Sequence, residues 1–230
     1  MLRHFSPRVA AARAIAASSC FPPVFPPSSP RLPAEKFRHG QYREPDRLQK
    51  LAGIRLTDGG VYDNLGLQPA LRRKKVLVSN GGGLMSFSLV EGLIGQLVRY
   101  SELLQNGVAK LRKQWILRDF NAKPRVKEGA YWGIGDRIAR QPPFPDKEAA
   151  EQIAAIRTDM NAFTRAEFEI LLNHGYLLAA GNIIQYAPRM LSRPIDGSSV
   201  RPPYPQWTDT ARRERALRHS RNRLWPRWLR

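Results

Sequence analysis

The sequence predicts an α/β fold with parallel strands joined by helices, followed by a helical region and a basic tail. A short apolar run at 54–57, a helix near 66–73 and an apolar strand at 76–79 follow one another. A strand, a helix and a second strand at this spacing normally form a right-handed parallel crossover. Helical periodicity continues to about residue 186. We therefore expect one α/β domain over residues 1–186 and a disordered, Pro/Arg-rich tail over 187–230.

The first element is a helix over residues 8–19 that ends at a pair of prolines. Its alanines favour helix and permit close packing against a sheet. The helix ends at Phe21, Pro22 and Pro23, because proline lacks the amide donor and disfavours helix at the preceding residue. With Phe25 these residues form a stiff apolar loop. The loop fits either a packed helix terminator or the wall of a ligand pocket.

Residues 28–52 are polar, charged and rich in proline, which predicts a surface insertion with little regular structure. The strand at 54–57 then leads directly into Asp58, and Gly59 and Gly60 follow. Glycine tolerates positive φ and has no Cβ, so another group can approach the carboxylate. This arrangement suits a general base, although an Asp-Gly hairpin turn has the same sequence pattern.

A second polar turn follows the strand at 76–79, where Asn80 precedes Gly81, Gly82 and Gly83. In a parallel crossover, both strands end at the same edge of the sheet, where open α/β sheets build their sites. We therefore expect Asp58 and the Asn80 turn to lie close together. The three glycines indicate a tight turn after the strand.

The second half of the chain is mainly helical. Apolar residues recur at helical spacing over 86–112, which predicts an amphipathic helix that packs on the sheet or docks on a membrane surface. Further expected elements are strands at 114–119 and 131–134, a helix over 147–160, and a helix to about 186 that opens with a Thr164–Glu167 capping box. His174 lies in that last helix, where we expect it to be structural.

These motifs together resemble the second half of bacterial patatin-like phospholipases. The resemblance covers roughly residues 6–186 and rests on the alanine-rich helix with its Phe-Pro-Pro end, on Asp58-Gly59-Gly60, on Gly129–Ile134, and on the segments 156–163 and 172–176. It implies a three-layer sandwich, a lipid or ester substrate, and a serine–aspartate dyad with Asp58 as the catalytic acid–base residue. It also favours an acyl-chain pocket at Phe21, Pro22, Pro23 and Phe25.

The sequence departs from that family at the nucleophile. The family pairs its aspartate with a serine in a Gly-x-Ser-x-Gly elbow and with a glycine-rich oxyanion loop, both N-terminal to it. No Gly-x-Ser-x-Gly occurs in these 230 residues, and Asn80 stands where the family commonly has aspartate. We expect the chain to be a carboxyl-terminal portion that is inactive alone. A non-catalytic remnant or scaffold is the alternative.

The charge points to anionic partners. The net charge is +19, and residues 211–230 contain eight arginines, one glutamate and two tryptophans. This composition is typical of an interfacial membrane anchor, but it also permits non-specific contact with nucleic acid phosphates. No sequence-specific nucleic acid motif occurs.

No metal site or cofactor is indicated by the spacing of His, Cys, Asp and Glu, and Cys20 is the only cysteine. The first twenty residues are basic and rich in alanine, but Arg8 and Arg13 interrupt any apolar core of a signal peptide. No apolar run is long enough to span a bilayer. We therefore expect a cytoplasmic protein that can associate peripherally with a membrane.

Overall fold

The structure is a computed structural model that describes most of the chain as two units. The described residues are 3–4, 10–22, 25–29, 33, 35, 37–38, 46–82, 92–138, 147–157 and 162–220. Unit 1 consists of Met1–Gly66 with Val90–Leu111, and unit 2 of Leu67–Leu89 with Arg112–Arg230. The described residues combine helices with short strands, one pair of which is parallel. This agrees with the predicted α/β class at a coarse level.

Unit 1 is built of short elements. Its strands β1 (Arg3–His4) and β2 (Phe37–Arg38) pair in antiparallel fashion. Its helices are α1 (Ala11–Ser18), α2 (Arg47–Ala52), α3 (Gly60–Asp63) and the first part of α5 (Leu93–Asn121). Helix α1 confirms the first predicted helix.

The prediction of a strand at 54–57 is wrong. Leu56 instead forms a single antiparallel bridge with Ser28, through two backbone hydrogen bonds of 2.7 and 2.8 Å. The next hydrogen-bonded positions in this register would be 26 and 30, and both are prolines. Because proline has no amide donor, the ladder cannot extend beyond one pair.

Unit 2 contains the parallel pair of strands. Strand β3 (Lys75–Asn80) follows the short helix α4 (Leu67–Ala70) and pairs with β4 (Glu128–Gly133), in a register that runs from Lys75↔Glu128 to Asn80↔Gly133. Strand β3 lies within one residue of the strand expected at 76–79, whereas β4 begins three residues before the strand expected at 131–134. The parallel partner of β3 is therefore β4, and not the segment at 54–57.

Glycine is required at one position of this pair. A Cβ on Gly129 would lie 1.9 Å from the carbonyl oxygen of Val76 and 2.8 Å from the ring of Phe120. Neither the strand backbone nor the buried ring can move that far without loss of packing. Gly129 therefore lets β4 approach β3 and α5 closely.

Helix α5 is longer than predicted and includes residues 114–119, which were expected to form a strand. Arg112, Ile116 and Phe120 are buried, whereas Gln114 and Arg118, which would share their face in a strand, are exposed, so the burial follows the period of a helix. The start of the predicted helix, at 86–91, lies outside the described residues. Within the described part of the chain, no helix is both long and apolar enough to cross a membrane.

Helices α6 (Lys147–Ala154) and α7 (Arg165–Tyr186) complete the centre of unit 2. The predicted capping box is present: the Thr164 side chain accepts from the Glu167 amide, and the Glu167 side chain accepts from the Thr164 amide. One apolar cluster joins β4 to α7, and a second joins α6, α7 and α8 (Thr210–Leu217). The members of these clusters include Trp132, Leu177 and Leu178 in the first, and Ile153, Ile170 and Leu217 in the second.

The segment after residue 186 is more regular than the sequence suggests. Residues 187–220 contain three short 3-10 helices and α8. Asn173 exchanges two hydrogen bonds with the backbone of Tyr204 (2.6 and 2.8 Å), and Glu169 accepts from the indole N–H of Trp207 (2.8 Å). Buried polar side chains of α7 thus fix a proline-rich segment whose composition alone indicates disorder.

Candidate functional site

Asp58 lies two residues before the start of α3, and its backbone N–H is bonded to the segment that follows α1. Its N–H donates to the carbonyl oxygen of Cys20 (2.9 Å), which also accepts from the Thr57 hydroxyl (2.7 Å). Cys20 lies just after α1, so these bonds fix the aspartate to the end of that helix. The Leu56–Ser28 bridge holds the same segment two residues earlier. The position of Asp58 therefore depends on contacts that are distant in sequence.

The carboxylate of Asp58 has one engaged oxygen and one open oxygen. Oδ1 accepts from the Gly60 amide at 2.6 Å. Oδ2 has no hydrogen-bond partner among the residues that the structure describes. Asp58 is half-buried. A carboxylate held through one oxygen keeps the other available to receive a proton, as a general base must.

Gly59 and Gly60 were both expected to allow positive φ and to let another group approach the Asp58 carboxylate, but in the structure the two glycines differ. Gly59 has φ −64° and ψ −25°, an ordinary helical conformation, and positive φ occurs at other described glycines, Gly66 and Gly92. A Cβ on Gly60, however, would lie 2.9 Å from Asp58 Oδ1 and 2.8 Å from Asn64 Oδ1. A side chain at Gly60 would therefore displace the ends of the Asp58 and Asn64 side chains, whereas Gly59 faces open space.

The apolar loop after α1 is only partly described. Phe21 and Pro22 are half-buried, Phe25 is exposed, and the Phe25 amide donates to the Phe21 carbonyl (2.9 Å). Pro23 lies outside the described residues. The assignment of these four residues to an acyl pocket stays a prediction.

The Asn80 turn in unit 2 is closed by its own side chain. Asn80 Oδ1 accepts from the Gly82 amide (3.0 Å), and its Nδ2 donates to the Tyr131 hydroxyl on β4 (3.1 Å). This is the tight turn after a strand that the glycines predict, with Gly83 outside the described residues. Asp58 and Asn80 belong to different units, and their predicted proximity stays a prediction.

His174 is buried in unit 2 and bonded to the backbone. Its Nε2 lies 2.6 Å from the carbonyl oxygen of Ile134, and the side chain is 3% exposed. Burial lowers the pKa of His174, a tendency that the bond to Ile134 opposes and nearby Arg213 strengthens. The ring is therefore neutral at pH 7, and its contact fits a structural role.

A buried ion pair that no sequence pattern predicts lies between α6 and α7. Arg157 donates to Glu167 and, at 3.0 Å, to the Ala162 carbonyl, and both charged side chains are 1% exposed. Burial opposes ionisation of Glu167, but hydrogen bonds from Arg157 and Thr164 outweigh it and lower its pKa to about 2. The capping box identified Glu167 as a cap, but no sequence pattern indicates its pairing with Arg157.

No protein family, curated protein or solved structure matches this chain in the comparisons with known proteins.

Proposed function

We propose that this chain carries the aspartate half of a serine–aspartate lipid acyl hydrolase of the patatin-like kind. The observation that carries the proposal is the Asp58 carboxylate, with Oδ1 held by the Gly60 amide and Oδ2 without a partner among the described residues. The motif resemblance of residues 6–186 adds the substrate class, a lipid or ester. The three-layer patatin-like sandwich is part of the same proposal.

In the proposed reaction, Asp58 moves one proton in each half of the cycle. A serine oxygen attacks the ester carbonyl carbon while Asp58 accepts the serine proton, and the aspartic acid then protonates the leaving alcohol. Water next attacks the acyl-serine ester, Asp58 accepts its proton, and the proton returns to the serine oxygen as the fatty acid leaves. The serine and the oxyanion donors come from residues outside this sequence.

An assay of the isolated chain tests the need for an external serine. We expect no turnover of p-nitrophenyl esters or phospholipid vesicles, because an aspartate base accelerates ester hydrolysis very little when no serine nucleophile is present. Turnover that disappears in Asp58→Ala would contradict this part of the proposal. It would place the nucleophile within the chain, with Ser79 and Ser86 as the first serines to replace.

A second proposed function is the binding of anionic surfaces without catalysis. It is favoured by the net charge of +19 and by the arginines that α8 exposes at Arg212 and Arg215. The partner would be an anionic membrane, contacted peripherally, or nucleic acid bound through its phosphates.

A further inference from the structure

Strand β4 pairs with β3 along one side only, within the part of the chain that the structure describes. The amides of Glu128 and Ile134 donate to carbonyl oxygens on the β3 side, each at 2.9 Å. In a parallel pair, the residues that bond to the neighbouring strand alternate along the chain. The backbone groups of Gly129, Tyr131 and Gly133 therefore point away from β3.

Two of these three residues leave their backbone groups unpaired. The Gly133 amide donates to the Asp136 carboxylate (2.7 Å), and the Asp136 amide donates to the Gly133 carbonyl (2.9 Å). The N–H and C=O groups of Gly129 and Tyr131 have no hydrogen-bond partner among the described residues, and we call these groups the open edge of β4. Buried backbone groups are nearly always paired in folded proteins, and an unpaired strand edge is a template for another strand.

Gly129 and Tyr131 lie in the wall of a cavity of 740 Å³ in unit 2. Helices α5 and α7 supply further parts of this wall, among them Leu117, Phe120, Asn182 and Tyr186. An added strand would lie about 4.8 Å from β4, and the volume falls in the range of pockets that enclose a ligand. The cavity therefore leaves room for an extended segment beside the open edge.

The wall of this cavity has an excess of positive charge. Its charged residues are four cations and two carboxylates, namely Lys113, Arg125, Arg137, Lys147, Asp136 and Glu151. Arg125 and Lys147 have carboxylate partners at 3.3 and 3.7 Å. Lys113 and Arg137 have none among the described residues, and the Lys113 ammonium lies 4.5 Å from the centre of the Tyr131 ring. A segment with acidic side chains would supply the missing counter-charges.

We propose that the open edge of β4 binds an extended acidic segment of a partner protein as an added strand. The backbone of the segment pairs with Gly129 and Tyr131, and its carboxylates lie near Lys113 and Arg137. A second copy of this chain fits the edge poorly, because both copies carry a net charge of +19. The proposal does not depend on the catalytic role of Asp58, which does not line this cavity.

The first test uses the full chain and the capped peptide Glu-Val-Glu-Val-Glu, with binding measured by the fluorescence anisotropy of a dye on the peptide. In an added strand of either direction, only alternate peptide amides bond to β4. One peptide is N-methylated at its two valine amides, and a second at its last two glutamate amides, so both have the same charge. One of them should bind at least about tenfold more tightly, because it keeps hydrogen bonds that the other loses. Equal affinities would overturn the added strand.

A neutral peptide and a lysine variant test the charge. Gln-Val-Gln-Val-Gln lacks the carboxylates and should bind more weakly than the acidic peptide. Lys113→Gln should weaken binding of the acidic peptide about fivefold and leave binding of the neutral peptide unchanged. Lys110→Gln, on the same helix but outside the cavity wall, is the control and should bind as the parent chain does. Equal losses in the two variants, or equal affinity of the parent chain for the two peptides, would contradict an acidic partner.

Hydrogen exchange of single amides, followed by NMR, locates the added strand. Without peptide, the Tyr131 amide should exchange faster than the Trp132 amide, which bonds to β3. The acidic peptide should slow exchange at Gly129 and Tyr131 and leave Trp132 unchanged. Unchanged exchange at Gly129 and Tyr131 with peptide bound would refute the location. Exchange that slows at these two amides as the protein concentration rises, with no peptide present, would assign the edge to a second copy and overturn the proposal.

Discussion

At the scale of single residues, the Asp58 turn is fixed by backbone contacts and by the lack of a side chain at Gly60. The Cys20 carbonyl holds the aspartate from behind, and the Gly60 amide holds Oδ1 from in front. The absence of a Cβ at Gly60 leaves room for both the Asp58 and Asn64 oxygens. Gly59 has no comparable neighbour, so the two glycines should respond differently to substitution.

Alanine at each glycine tests this difference. Gly60→Ala should lower the free energy of unfolding by about 1–3 kcal/mol, because its Cβ forces the Asp58 and Asn64 side chains apart. Gly59→Ala should change it by less than about 0.5 kcal/mol. Urea unfolding measures both. Equal effects of the two substitutions would show that the close approach at Gly60 has no energetic consequence.

At the scale of elements, the Arg157–Glu167 pair joins the end of α6 to the start of α7. Both side chains are buried, and the Arg157 amide also donates to the Ser220 carbonyl (3.0 Å), which ties the end of the described chain to the same point. Loss of one partner would leave an uncompensated buried charge. The pair should therefore contribute strongly to the stability of unit 2.

Glu167→Gln should lower the free energy of unfolding by about 3–5 kcal/mol, because it removes the negative charge that compensates the buried Arg157 guanidinium. Glu151→Gln is the matched control, since Glu151 forms an exposed pair with Lys147 at 3.7 Å. That change should cost less than about 1 kcal/mol. Similar losses in urea unfolding of the two variants would contradict the importance of the buried pair.

The same pair predicts how stability depends on pH. The pKa of Glu167 is 4.5 unfolded and about 2 folded, so its charge contributes about 3 kcal/mol at pH above 4.5. This contribution is lost as the pH falls from about 4.5 to about 2. The difference in unfolding free energy between the parent chain and Glu167→Gln should therefore shrink over that interval. A difference that stays constant would show that ionisation of Glu167 is not coupled to folding.

Elements that depend on neighbouring residues could be predicted from the sequence, whereas elements that depend on distant residues could not. The capping box of α7 and the ends of β3 depend on neighbouring residues, and both were predicted. The pairing of β3 with β4 joins residues about fifty positions apart, and the failed strand at 54–57 depends on prolines in a distant segment. In the candidate site, Asp58 and the two glycines after it were recognised as a sequence motif. The hydrogen bond from the Asp58 amide to the Cys20 carbonyl and the Arg157–Glu167 pair could be identified only from the structure.

At the scale of the whole molecule, positive charge is the dominant property. Residues 187–220 dock onto α7, and Leu217 of α8 is buried in the core of unit 2. A deletion that begins at residue 211 would therefore remove part of the folded unit. Residues 221–230, which contain four arginines, Trp225 and Trp228, are the segment to remove in a test of surface binding.

Deletion of residues 221–230 should weaken binding to phosphatidylserine vesicles by up to about 4 kcal/mol, since each basic residue contributes about 1 kcal/mol near an anionic membrane. Vesicle sedimentation over a series of salt concentrations measures this loss. Replacement of Trp225 and Trp228 by alanine should weaken binding even at high salt, because tryptophan prefers the interface. Equal binding to duplex DNA, with no effect of the tryptophans, would contradict the membrane proposal and indicate a non-specific polycation.

We propose Asp58 as the acid–base residue of an acyl hydrolase. A protein that joins an upstream half with a Gly-x-Ser-x-Gly elbow to residue 1 allows this role to be measured. In that protein, Asp58→Asn should lower the kcat of ester hydrolysis by about 10²–10⁴-fold with an unchanged Tm, because asparagine keeps the shape but cannot accept the serine proton. Asp63→Asn, which removes the next carboxylate along the chain, should retain the parent activity. Activity of Asp58→Asn within about tenfold of the parent, at the same Tm, would contradict the claim.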